Sequence, residues 1–244
     1  MIGSVSDETP IDYAAFEVLT FDCYGTLIDW ETGLATALRE TFGSAAASDG
    51  TDELLERYGR HEAAVEAGPY QPYRDILAAG LRGVAAELGV GVSDEAAARF
   101  GGSVVDWPAF ADSSASLQRL ATRYRLGVLT NCDDDLFAAS NERLGVRFDW
   151  VVTAQQVGAY KPSEANFRVL LDRLAADGVA PDRLLHVAQS LYHDHAPAKR
   201  IGMTTVWIDR RHGRAGSGPT PPTEVEPDAT YPSMEAFAEA ALQP

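Results

Sequence analysis

The chain has 244 residues, 45% hydrophobic and 23% charged, which is the make-up of an ordinary globular protein with one large domain or two modest ones. Its 36 Asp and Glu against 20 Lys and Arg leave a formal net charge of −16. That balance argues against a nucleic-acid or anionic-membrane partner, since a phosphate surface needs a basic face, but a small anion can still be held by one or two local cations.

Residues 1–16 carry acids and no basic leader, and no apolar run approaches the roughly 18 residues that span a bilayer, so a cytoplasmic protein is expected. FEVLTF, residues 16–21, is an apolar run rich in β-formers and predicts a strand over 18–21. It runs into FDCYGTLID, which leaves a single carboxylate, Asp22, at the strand end. The next hundred residues carry no strand signal. ETGLATALRETF, DELLERYGRHEAAVEA, YRDILAAGLRGVAAELG and SDEAAARF read as helices, and on the second of these Leu54, Tyr58, His61 and Val65 share a face. A helical block of this length predicts an inserted cap domain over residues 31–107, leaving at Trp107-Pro108, with residues 1–30 and 108–244 forming the core.

Four more strands are expected at RLGVLT (125–130), WVVTA (150–154), LLHVA (184–188) and TTVWI (204–208), with helix-length segments such as LFAASNERLG and ANFRVLLDRLAADG between them. Buried apolar strands alternating with helices predict an α/β fold, a Rossmann-like parallel sheet with helices on both faces. Residues 211–232, rich in Gly and Pro, read as a surface loop before a last helix at MEAFAEAAL. Cys23 and Cys132 are too few for a metal cage and read as small apolar packing groups.

Ligands of such sheets sit at the carboxyl ends of the strands, which directs attention to four places. Asp22 could cap a turn or a helix. Thr130-Asn131 offer a hydroxyl and an amide, and the capping of the following helix is assigned to Asp133, Asp134 and Asp135, which leaves Asn131 free. Lys161 precedes Pro162 at a predicted helix start, where a cation has the wrong sign for the helix dipole and so calls for an anionic partner. Asp194 lies ahead of a short helix bracketed by Pro197 and Gly202. His193 and His195 flank it, but no further ligand cluster makes a metal site.

The order Asp22, Thr130-Asn131, Lys161 and Asp194, each after its own strand, resembles the haloacid dehalogenase-like superfamily of hydrolases over most of the chain. The resemblance implies that Asp22 is a nucleophile forming a covalent ester, that Lys161 and Thr26 hold it, and that Asp194 positions or activates water. Phosphatase members carry Asp-x-Asp, whereas here the position two residues on is Tyr24, as in the type II 2-haloacid dehalogenases. Halide leaves without a proton, so a general acid is not needed there. The implied reaction takes a small 2-haloacid to a 2-hydroxyacid without metal or cofactor. Tyr24, Thr130, Asn131 and a cap arginine would meet the substrate; alignment favours Arg60 and helical phase favours Arg57. Phe167, Gln189 and Leu191 depart from the polar residues usual in that family, which leaves the substrate open. The alternatives are a magnesium-dependent phosphatase and a non-catalytic binding protein on this scaffold. A homodimer through the cap surface is left open.

Overall fold

The computed structural model describes residues 11–212 and 223–243. Six strands, β1 (Val18–Phe21), β2 (Arg125–Thr130), β3 (Trp150–Thr153), β4 (Leu184–Ala188), β5 (Thr204–Ile208) and β6 (Ala229–Tyr231), form one sheet in the order β3-β2-β1-β4-β5-β6. Every pairing is parallel. Thr20 of β1 stands between Gly127 of β2 and His186 of β4, so β1 is where the winding reverses. The expected α/β architecture is the observed one.

Ten helices are described: α1 (Trp30–Phe42), α2 (Thr51–Glu66), α3 (Tyr73–Leu88), α4 (Asp94–Gly101), α5 (Ser113–Leu120), α6 (Asp134–Leu144), α7 (Ala154–Val157), α8 (Glu164–Ala176), α9 (Ala196–Arg200) and α10 (Met234–Ala241). Successive strand residues point to opposite faces, and both faces are covered. Leu19 and Phe21 join Leu117 of α5, Phe137 of α6 and Phe237 of α10. Val18 and Leu129 join Phe167 and Leu170 of α8 and Ala198 of α9 on the other side. Among the described residues no helix is long and apolar enough to cross a membrane.

Three elements differ from expectation. The strand at 150–154 stops at Thr153, whose hydroxyl accepts from Gln156 N (3.2 Å) and caps α7. Helix α5 has no expected counterpart. The loop assigned to 211–232 contains β6, paired to β5 through Val206 and Ala229, and residues 213–222 of it lie outside the described residues. Asp228 fastens that edge by accepting from Thr205 N (2.8 Å) and from Lys199 Nζ (2.7 Å).

Helices α1 to α4 make a cap whose buried Leu34, Leu54, Tyr58, Ile76 and Leu81 are continuous with one core of the sheet. The chain departs and returns side by side, with Asp29 N donating to Pro108 O (2.8 Å). Gly33 of α1 lies so close to Trp107 that a Cβ there would overlap the indole. The cap is also held by charge. Pro72, at the N-cap of α3, has no side chain able to cap it, and Asp133 of the core supplies the acceptor for Tyr73 N (2.8 Å) and Arg74 N (3.2 Å). All three aspartates sit at the N-terminus of α6 as expected, Asp133 at its N-cap and Asp134 and Asp135 in its first turn, but their side chains bond elsewhere. Asp133 makes no side-chain cap bond there, Asp134 accepts from Thr153 Oγ1 (2.6 Å), and Asp135 pairs with Arg74 (2.6 Å).

Candidate active site

Asp22 follows β1 directly, and its N–H continues the ladder to Val187 O (3.1 Å). The chain then turns sharply at Gly25, whose φ of 98° favours glycine, and a Cβ would come within 3.0 Å of Trp30 Nε1. Leu27 N and Ile28 N both donate to Cys23 O (2.8 and 2.9 Å), closing the loop. The turn brings Thr26 back so that its hydroxyl donates to Asp22 Oδ2 (2.7 Å) while accepting from Gln189 N (2.9 Å). Arg210, beyond β5, donates to Thr26 O (2.8 Å) and is paired with Asp112 (2.9 Å). Gln189 O in turn accepts from Trp207 Nε1 (2.8 Å).

Lys161 is buried, and its three ammonium donors are all used: on Asp22 Oδ1 (2.8 Å), Asp194 Oδ1 (2.7 Å) and Leu129 O (2.9 Å). Its anionic partners, required by the wrong-sign argument, are therefore two carboxylates. Ser163 is the N-cap of α8, so Pro162 precedes the helix and does not open its first turn. Asn131, which lines the cavity beside Asp22, also ties the lysine in place. Its amide accepts from Lys161 N (2.7 Å) and donates to Lys161 O (3.1 Å), fixing the lysine's backbone.

Asp194 sits in a single π-helical turn, Leu191–His195, capped by Ser190, a feature common at functional sites. Its Oδ1 also meets His186 Nε2 (3.0 Å), whose Nδ1 meets Thr20 Oγ1 (3.0 Å). Its Oδ2 is buried without a hydrogen-bond partner. Phe167 stands edge-on to His186 (5.7 Å between centroids) and belongs to the core rather than the site. Sequence reasoning missed His186, whose signal was a lone imidazole in the apolar run LLHVA, and it missed Arg210. His195 points at Ala188 O (3.0 Å) and His193 at Ser190 Oγ (3.1 Å). Burial lowers each to about 4.

Burial is the largest influence on both site carboxyls. It raises Asp22, with Asp194's charge adding and Lys161 opposing. For Asp194, Lys161 and His186 outweigh burial and hold the group below its ordinary range. Burial disfavours the Lys161 ammonium, but the two carboxylates more than offset it and raise the group.

A cavity of about 210 Å³ opens between this edge and the cap. Asp22, Lys161 and Asp194 line one side, and Gly59, Glu62 and Glu66 of α2 line the other. Tyr24 forms part of the wall, its hydroxyl engaged by Ser140 Oγ (3.0 Å) and Cys132 Sγ (3.3 Å). Thr130 is buried, its hydroxyl has no hydrogen-bond partner, and it does not line the cavity. Arg60, expected near the halide, lies on another face of α2, 63% exposed and 3.7 Å from Glu87. Arg57 is taken up by Asp49 (3.2 Å) and Glu87 (3.2 Å). The helical spacing 59, 62, 63, 66 faces the cavity, so that α2 presents acids there and no arginine. Burial lifts Glu62 to about 7, opposed by hydroxyl donors from Tyr73 (3.2 Å) and Tyr58 (3.4 Å). Glu66 is raised by burial and by the charge of Glu62.

A family model for haloacid dehalogenase-like hydrolases matches residues 16–202. No curated protein matches the chain. Many solved structures are similar to it, among them the following three. The L-2-haloacid dehalogenase RSc1362 is 23% identical with a TM-score of 0.76, covering 93% of this chain and 99% of its own. The L-2-haloacid dehalogenase PA0810 is 20% identical with a TM-score of 0.75, covering 92% and 98%. The L-2-haloacid dehalogenase from Xanthobacter autotrophicus with chloropropionic acid covalently bound is 18% identical with a TM-score of 0.76, covering 92% and 97%. At these identities the likeness is one of fold.

Proposed function

The chain belongs to the haloacid dehalogenase-like hydrolases, and on that footing we propose that it hydrolyses the carbon–halogen bond of a small 2-haloacid through an ester on Asp22. The observation that carries this is the carboxylate of Asp22, held by Lys161 Nζ (2.8 Å) and Thr26 Oγ1 (2.7 Å) on the cavity wall. A carboxylate oxygen attacks C2, and the C–O bond forms as the carbon–halogen bond breaks and halide leaves with the bonding pair, inverting C2. Water then attacks the Asp22 carboxyl carbon. The acyl C–O bond breaks, the substrate oxygen takes a proton, and 2-hydroxyacid, halide and one proton are released in sum. Asp194, ionised beside Lys161, helps position the attacking water, whose protons pass to the substrate oxygen and to solvent.

Position 24 favours this chemistry over phosphoryl transfer. Tyr24 has its hydroxyl turned to Ser140 and is no acid for a leaving alkoxide. The Lys161 ammonium also lies between Asp22 and Asp194 and takes up one oxygen of each, which leaves fewer carboxylate oxygens for a magnesium ion. The purified chain is expected to release halide from chloroacetate or L-2-chloropropionate with no metal added, and Asp22→Asn to lower the rate by about 10³-fold or more, as for loss of a covalent nucleophile. No halide from a panel of haloacids, with EDTA-sensitive turnover of p-nitrophenyl phosphate instead, overturns the proposal.

A further inference from the structure

The cap side of the cavity has the wrong sign for a simple haloacid. Its lining carries four carboxyl groups, Asp22, Glu62, Glu66 and Asp194, and one cation, Lys161, already shared between two of them. Glu62 and Glu66 stand at i and i+4 on one face of α2, an arrangement that like charges disfavour on an isolated helix. Glu62 has only two tyrosine hydroxyls as donors, and Glu66 has no hydrogen bond or ion pair among the described residues. Both residues are half-buried, and two carboxylates turned into one cavity without a counter-charge favour the entry of something positive.

Two independent features of the cavity point the same way. Five tyrosine and tryptophan side chains line it, among them Tyr73 and Tyr160 with ring centroids 6.4 Å apart, and aromatic faces attract ammonium groups. In addition, Asp194, fully buried on the same lining, keeps its Oδ2 without a partner. The proton that burial holds on Glu62 up to about 7 is one that a bound cation displaces.

We propose that Glu62 and Glu66, with the aromatic walls of the cavity, recognise an ammonium group, and that the preferred substrate is a 2-haloacid bearing an amine. This rests on displacement at Asp22, which such a substrate undergoes with the bond changes given above. The ammonium is held against the cap and takes no part in them.

The test compares 2-chloro-4-aminobutanoate with 2-chlorobutanoate, which share a carbon skeleton. The wild-type chain is expected to favour the amino acid at least tenfold in kcat/KM, and Glu66→Gln and Glu62→Gln to bring that ratio towards one. A wild-type ratio of one or below overturns the inference, and that result does not depend on how well either variant folds. Calorimetric titration of Asp22→Asn with n-butylammonium and with butyrate separates the two proposals. Binding of n-butylammonium but not butyrate supports the cap site, and the reverse overturns it. Equal turnover of both chloro acids leaves displacement at Asp22 standing and removes the cap site. Ammonium binding without halide from either acid keeps the cap site and removes the displacement.

Discussion

Lys161 is the residue on which the site's charge turns. One ammonium holds two buried carboxylates and a carbonyl, so removing it strands like charges away from water. Lys161→Met is expected to abolish hydrolysis and to cost about 3–5 kcal/mol of stability, read from the urea midpoint. A midpoint within about 1 kcal/mol of wild type would contradict the shared-cation account. Thr26→Val removes a donor to a charged oxygen and orphans Gln189 N; hydrogen bonds to charges are worth about 1.5–3 kcal/mol, so kcat/KM is expected to fall roughly 10–100-fold. Lys161 was legible because its sign conflicted with the helix beside it. Asn131 lines the cavity as expected, but its second task, bonding to the Lys161 backbone 30 residues away, leaves no local trace. Glu62 and Glu66 were overlooked for a related reason. Periodicity sorts α2 into faces but does not say which face meets a cavity.

At the level of elements, the join between cap and core rests on α3 being capped from outside its own segment. Asp133→Ala is expected to cost about 0.5–2 kcal/mol and to speed hydrogen exchange in the first turn of α3 more than elsewhere. Asp135→Ala, losing an exposed pair with Arg74, is expected to cost at most about 1 kcal/mol. Equal effects would mean that the amides of α3 are not what Asp133 serves. The strands after β1 were legible as apolar runs punctuated by helices, because burial on both faces leaves little else to a parallel strand. β6 was not legible. It is three residues long, and its partners, Val206 to Ile208 and the Asp228 contacts, are tertiary.

Across the whole molecule, the acidic balance and the buried titrating groups set the response to pH. The fold keeps His193 and His195 neutral, so their contribution is complete above their ordinary 6.5 and is lost as pH falls through about 4. Glu62, facing Tyr58, Tyr73 and Glu66, acts in the opposite sense. The fold prefers its protonated form, so its contribution is complete below 4.5 and lost as pH rises through about 7. The Tm of wild type minus that of Glu62→Gln is therefore expected to fall between about 4.5 and 7. A difference flat across that interval contradicts the burial of a protonated Glu62.

The covalent ester on Asp22 is the claim from which the rest follows, and a single turnover in ¹⁸O water tests it. With enzyme in excess over L-2-chloropropionate, the account predicts heavy oxygen in the peptide containing Asp22 and none in the first equivalent of lactate. Label in that lactate, with the peptide unlabelled, would mean that water attacks the substrate directly and that Asp22 is not the nucleophile.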